Sequence, residues 1–196
     1  MIMEKYVELK IHDMSTTLYP ADAYALVLEE VGGNRKIPVI IGHLEAQAIK
    51  VMMVKYHAPR PLTHDLFVAF AQQLEAELRM VLIYKAKDGV FYSYLYFEKG
   101  GEEIKIDART SDAIALALRF KCPIYTTEDI MESEHLHDLG EGKFSVPITS
   151  VSLQMLEEAL QKAIENEEYE QASQLRDEIR KRKENDCHSE RSEESR

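Results

Sequence analysis

Cysteine is nearly absent from this 196-residue chain: only Cys122, beside Pro123, and Cys187, in a polar stretch, occur. Two such thiols argue against a disulfide framework, and neither has the neighbours of a catalytic thiol. Positive charge is also scarce. Lys and Arg number 24 against 35 Asp and Glu, a net charge of −11. The deficit is shared, with 16 basic against 22 acidic residues through position 150 and 8 against 13 beyond it. Neither part advertises a sequence-independent grip on nucleic acid, which comes chiefly from Lys and Arg neutralising phosphates. Long apolar runs are missing too. The opening Met1-Ile2-Met3-Glu4 meets an acidic residue at once, and no later stretch has the length of a membrane span, which predicts a cytoplasmic protein with no membrane partner.

With 45% hydrophobic residues the chain can bury one ordinary core and carry an appendage. Val7 to Ile11 alternates like a half-buried strand, Ala25 to Glu30 continues to Gly32-Gly33, and Ile37 to Ile41 returns. A helix follows from Leu44. The same order recurs: Tyr92, Tyr94 and Tyr96, then Gly100-Gly101, then Ile104 and Ile106, then a helix through Ala113 to Leu118. Aligning the glycine pairs puts one deleted residue in the second turn. This predicts an α+β fold, with internally duplicated strand-hairpin-helix units forming a mixed sheet packed with helices. Between the units, Pro59-Arg60-Pro61 ends any helix, and Leu66, Phe67, Phe70, Leu74 and Leu78 form an apolar stripe at helical spacing ahead of a buried strand at Val81 to Tyr84. Cys122 to Thr127 reads as a short strand entering a capped turn, and Glu132 to Lys143 as a loop or linker.

From Ser152 the pattern changes. Leu153, Leu156, Leu160 and Ile164 form one apolar seam, and Tyr169, Ala172, Leu175 and Ile179 another, as in two antiparallel helices. Residues 184–196 carry no large apolar side chain and predict a disordered polar tail. The expected parts are therefore a domain at 1–150, a helical hairpin at 151–183 and the tail at 184–196.

Two predicted helix starts carry Thr-x-Asp with arginine nearby: Arg60-Pro61-Leu62-Thr63-His64-Asp65 and Asp107-Ala108-Arg109-Thr110-Ser111-Asp112. Capping explains much of this, since Thr63 and Thr110 suit an N-cap and an Asp in the first turn faces the positive helix end. It explains Asp107 and the arginines less well, because guanidinium groups beside a helix N-terminus suit an anion. Phosphodiester hydrolysis needs carboxylates for a divalent cation, a base, and cations around the phosphorus centre. Asp65, Asp107 and Asp112 supply the first, with magnesium the expected ion. His64 supplies the base, and Arg60 and Arg109, with Thr63, Thr110 and Ser111, the phosphate contacts. Glu45 matches Asp112 in the repeat and reads first as a residue favoured by the helix dipole. His135-Leu136-His137-Asp138 lacks a third ligand at fixed spacing and reads as a solvated loop. His12, His43 and His57 receive no role.

These residues resemble the bifunctional nuclease domain. The likeness covers about Met3 to Thr149 and is carried by Ile41-Gly42-His43-Leu44-Glu45-Ala46-Gln47-Ala48-Ile49, Arg60 to Leu66, Asp107 to Ala117 and Pro123-Ile124-Tyr125. The resemblance implies an α+β fold, self-association into a homo-oligomer and, as in plant members, DNase and RNase activity. The hairpin is similar to the UVR motif of the repair proteins UvrB and UvrC, chiefly through Leu156-Glu157-Glu158-Ala159 and Tyr169 to Ile179. That likeness implies a protein partner contacted by Leu156, Leu160, Tyr169, Leu175, Arg176 and Ile179. Two functions follow as expectations: a metal-assisted nuclease in which His64, Asp65, Asp107 and Asp112 are catalytic, or a noncatalytic adaptor that binds an anion or a protein and recruits partners through the hairpin.

Overall fold

Alternating strands and two glycine-bearing turns produce one mixed sheet in the structure, a computed structural model that describes residues 6–15, 23–136 and 152–193. The elements run β1 (Tyr6–Met14), β2 (Ala23–Glu30), β3 (Lys36–Gly42), α1 (His43–Met53), α2 (Thr63–Gln73), β4 (Glu77–Lys87), β5 (Val90–Lys99), β6 (Glu102–Arg109), α3 (Thr110–Phe120), β7 (Ile124–Thr127), α4 (Glu128–Glu134), α5 (Leu153–Glu165) and α6 (Tyr169–Glu193). The sheet order is β3-β2-β1-β7-β4-β5-β6. Its neighbours are antiparallel except β4 and β7, which run parallel. The class is α+β, as the alternating pattern predicts.

The duplication is visible in this order. Outward from β7, β1-β2-β3 lie to one side and β4-β5-β6 to the other, each set feeding a helix, and α1 packs against α3. Strand pairing also corrects the expected turn length. Glu29 opposes Lys36 in the first hairpin as Glu98 opposes Glu103 in the second, so the first turn is two residues longer, not one. A one-residue offset would carry every side chain to the other face. The observed offset keeps Leu26 and Leu28 in the core beside their counterparts Leu95 and Phe97. Gly100 and Gly101, both at positive φ, make the tight turn, a conformation that costs glycine little.

Helix α3 is the centre of packing. Ala113 to Ala117 are all buried, and the small alanines let the sheet and α1 approach closely. The helix ends at Lys121 in the left-handed region, where Cys122 N–H returns to the Ala117 carbonyl and Pro123 prevents continuation. Burial pushes the Cys122 thiol up to about 11, in keeping with an inert thiol.

Several expectations change. The α2 stripe is not a core face: Leu66, Phe67, Phe70 and Leu74 are exposed, and Ala71 is the buried residue of that helix. Leu78 is buried because it has already entered β4. Residues 132–134 finish α4 instead of opening a loop, since Ile130 and Met131 anchor that helix in the core. Its cap is as expected, with the Thr127 hydroxyl accepting from Ile130 N–H.

The hairpin packs Leu156, Ala159 and Ala163 of α5 against Ala172, Leu175 and Ile179 of α6. The Lys183 to Glu157 ion pair, at 2.7 Å, joins the start of α5 to the later part of α6 and so fixes an antiparallel arrangement. The α5 seam runs through two alanines, leaving Ile164 exposed. Helix α6 runs on through Glu193, into the segment that the sequence marks as a polar tail. The boundary at 150, the His137-Asp138 pair and residues 194–196 lie outside the described residues. Among the described residues no helix is long and apolar enough to cross a membrane.

Candidate active site

The starts of α1, α2 and α3 converge on one cleft of about 850 Å³, lined by Glu45, Tyr56, Arg60, Leu62, Thr63, His64, Arg109, Asp112 and Arg119 among others. Helix α2 enters through Leu62, whose N–H donates to Asp65 Oδ2 at 2.9 Å. Helix α3 continues straight from β6, with Arg109 at its cap. Thr63 and Thr110 are thus the first helical residues, not caps. Thr110 instead shares a buried 2.7 Å hydrogen bond with Ser93 of β5, which locks the start of α3 to the sheet.

At the centre, His64 Nε2 lies 3.1 Å from Asp112 Oδ1. The Asp112 carboxyl is held down at about 2, first by the His64 hydrogen bond and then by Arg109. A carboxylate only accepts, so the His64 proton sits on Nε2 and the basic lone pair on Nδ1. Arg109 Nε donates to Asp112 Oδ2 at 2.8 Å and Arg109 Nη1 to Glu45 Oε1 at 2.9 Å. Glu45 therefore has more than a dipole role, and Arg109, kept firmly charged by Asp112 and then Glu45, remains 67% exposed to a ligand. Arg60 lines the same cleft and has no ion-pair partner among the described residues. Ser111 is buried next to this cluster.

Two of the four expected catalytic residues lie elsewhere. Asp65 accepts from Arg119 Nε at 2.6 Å, which with the Leu62 N–H holds its carboxyl below the ordinary range. Arg119, only 4% exposed, also donates to the Ala48 and Ala115 carbonyls and ties α1, α2 and α3 together. No sequence motif singled it out. A buried arginine on an amphipathic helix looks in sequence like any charged residue of the last turn. Asp107 pairs with Tyr94 across β5 and accepts from the Tyr84 hydroxyl at 3.3 Å, on the sheet face opposite the Ser93–Thr110 contact. Strand alternation makes this unavoidable, since Asp107 and Ala108 must point to opposite sides.

The magnesium seat expected from Asp65, Asp107 and Asp112 is consequently not formed. Among the described residues no group of three or more His, Cys, Asp or Glu is placed to hold a metal ion. The two carboxylates that do converge, Glu45 and Asp112, share one guanidinium, a donor set that does not fit a divalent cation as arranged.

The bifunctional nuclease domain family matches residues 26–138, and the UvrB/UvrC (UVR) motif matches 151–184. The chain belongs to the bifunctional nuclease domain family. The uncharacterized protein Rv1829 of Mycobacterium tuberculosis is 39% identical over 112 residues, covering 57% of this chain and 66% of that protein. Bifunctional nuclease 1 of Arabidopsis thaliana is 23% identical over 183 residues, covering 82% of this chain and 56% of that protein. Bifunctional nuclease 1 of Oryza sativa subsp. japonica is 29% identical over 114 residues, covering 56% and 34%. The chain thus spans just under two thirds of the mycobacterial relative and about a half or less of the plant ones. Within this bifunctional nuclease domain, the family match takes in every residue of the converging cluster.

In the UVR hairpin, Leu156, Leu175 and Ile179 are taken up by its own core and Leu160 is half-buried. Of the residues expected to meet a partner, Tyr169 and Arg176 remain exposed.

Proposed function

We propose that this chain hydrolyses phosphodiester bonds of DNA or RNA at the α1–α2–α3 cleft. The observation that carries the reading is the His64–Asp112 pair flanked by Arg109. Asp112 orients the imidazole and stabilises it when charged, Nδ1 of His64 accepts the proton of an attacking water, and Arg109 with Arg60 offsets charge on the phosphorus centre. A new P–O bond forms to the water oxygen as the bond to the sugar oxygen breaks, and the imidazolium returns its proton to the leaving oxygen. The nuclease names of the plant relatives support the same chemistry. Magnesium would have to displace Arg109 from Glu45 and Asp112, so no step is routed through it.

The test incubates purified protein with single- and double-stranded DNA and RNA, with and without chelator, beside His64→Ala and Asp112→Ala. Each substitution is expected to slow cleavage by about 100-fold or more, the usual contribution of a positioned base. Asp107→Asn, remote from the cleft, should cleave like the parent. Equal cleavage by all three variants would identify a contaminant and remove the proposal.

A second reading has its own support in the UVR match and in the exposed Tyr169 and Arg176: an adaptor whose hairpin recruits a protein partner. Unchanged partner capture by a chain truncated after Ser150 would rule out that recruitment.

A further inference from the structure

The last turns of α1 and α3 meet the start of α2 at a second pocket, of about 590 Å³. Tyr56 and Arg119 line both this pocket and the cleft, and so form the wall between them. The volume falls within the roughly 300–1,000 Å³ of a small-molecule site, and the lining has the matching make-up: an apolar floor of Val51, Met52 and Leu118, one aromatic ring, and a few charged groups. The unpaired charges are of one sign. Lys55, just past α1, and Lys121, at the cap of α3, have no ion-pair partner among the described residues, whereas the Asp65 carboxylate is already bound to Arg119 and to the Leu62 N–H. A chain of net charge −11 thus gathers two unpaired lysines at one pocket.

Helix dipoles account for a lysine after each of α1 and α3. They leave Arg119 unexplained. Its side chain is 4% exposed, Nε and Nη1 donate to Asp65, Ala48 and Ala115, and Nη2 has no acceptor among the described residues. A buried charged donor is costly to leave unmade, and such a group marks a place where something bound supplies the acceptor.

We propose that this pocket holds the nucleotide next to the one cut in the cleft, with its base between Tyr56 and the apolar floor, its phosphate on Lys55 and Lys121, and its base edge supplying the acceptor that Arg119 Nη2 lacks. The proposal rests on the phosphodiester reading of the cleft and adds a path to it: the strand runs from Arg60 and Arg109 past Tyr56 towards the ends of α1 and α3. Tyr56 is 57% exposed and its hydroxyl has no hydrogen-bond partner among the described residues, so the ring can turn to admit a base. Every base has a π-face, so stacking there is tolerant of sequence. The site selects a single strand, because a paired base has to leave its stack before it can enter a pocket.

Fluorescence anisotropy of a labelled single-stranded DNA decanucleotide tests it, on full-length protein carrying His64→Ala so that binding is read without cleavage, with circular dichroism to confirm folding. Against that background, Lys55→Gln/Lys121→Gln, both at exposed positions, should raise the dissociation constant about tenfold and lower the salt slope of log K by about 0.7, the share of one phosphate on a single strand. Tyr56→Ala should raise the constant about tenfold with the slope unchanged. Lys10→Gln/Lys85→Gln, on the sheet face opposite the helices, removes the same charge and should change neither. A Lys55/Lys121 variant that binds as before overturns the proposal, and so does a control pair that loses as much or a duplex held as tightly as the single strand. Adenosine monophosphate bound as tightly as the decanucleotide would make the pocket a mononucleotide site and overturn its place on the strand. A protein that binds through Lys55, Lys121 and Tyr56, yet in its parent form cuts nothing, would remove the chemistry of the cleft and leave the nucleotide site standing.

Discussion

The two halves of the sheet have kept one strand plan and diverged at the point where strand becomes helix. In the second half, Ser93 of β5 and Thr110 at the start of α3 share a buried hydrogen bond of 2.7 Å. In the first half, the matching positions are Tyr24 and His43, and their side chains also meet, at 3.4 Å and in contact with solvent. Glu45 and Asp112 occupy corresponding first-turn positions, yet both reach the single Arg109, whose own counterpart is Gly42. With no side chain at Gly42, the Glu45 carboxylate can fold back over the start of its helix. Duplication thus supplied two similar helix ends, and loss of symmetry let one cation serve two carboxylates. The His64–Asp112 pair is a further asymmetry, because His64 comes from α2, the connection between the halves.

The largest expected effect on the fold comes from making the halves alike at Arg119, whose counterpart in α1 is Met52. Arg119→Met keeps much of the side-chain volume but leaves Asp65 without its cation and frees the Ala48 and Ala115 carbonyls. Removing one partner from a buried pair typically costs about 3–5 kcal/mol. Asp65 is partly solvated, so about 2–3 kcal/mol is expected here, read as a lower urea midpoint at unchanged slope. An unaffected midpoint would show that Arg119 does not hold the three helices together.

A smaller effect separates the two strand-to-helix contacts. Ser93→Ala strands the Thr110 hydroxyl in a dry position and should cost about 1–2 kcal/mol. Tyr24→Phe removes a long contact that water can replace, and should cost only about a few tenths of a kcal/mol. Equal costs would mean that both halves are fastened in the same way.

The same contrast marks what the sequence made legible. Strand alternation, the turn glycines and the helix phases of the repeat were readable because each is local, and the sheet that follows from them is the one observed. Thr63-His64-Asp65 and Thr110-Ser111-Asp112 were readable as polar helix starts, and His64 with Asp112 does form the centre of the cleft. Asp65 and Asp107 were not separable from them, since residue type says nothing about which face of a strand or side of a helix a carboxylate will take. Arg119 and the Glu45 contact depend on three helices meeting, and only the packed structure has that information. The apolar stripe of α2 had the right spacing for a core face, but among the described residues no element covers Leu66, Phe70 and Leu74.

An effect smaller than the loss of Arg119 concerns Asp112 against acid. Its carboxyl is held at about 2, first by the His64 hydrogen bond, whereas an unfolded aspartate titrates near about 3.9. A lowered folded value means that the unfolded chain takes up the proton first as pH falls. The stabilisation is complete above about pH 4 and is lost as the pH drops towards 2. Asp112 is one-third exposed, so solvent screening limits the loss to about 1 kcal/mol, or about 2–4 °C in melting temperature. Asp112→Asn should therefore melt below the parent at pH 6, with the difference closing by pH 2. A gap that stays constant over that range would assign it to packing instead of ionisation, and would leave His64 without the charged partner that makes the second half different from the first.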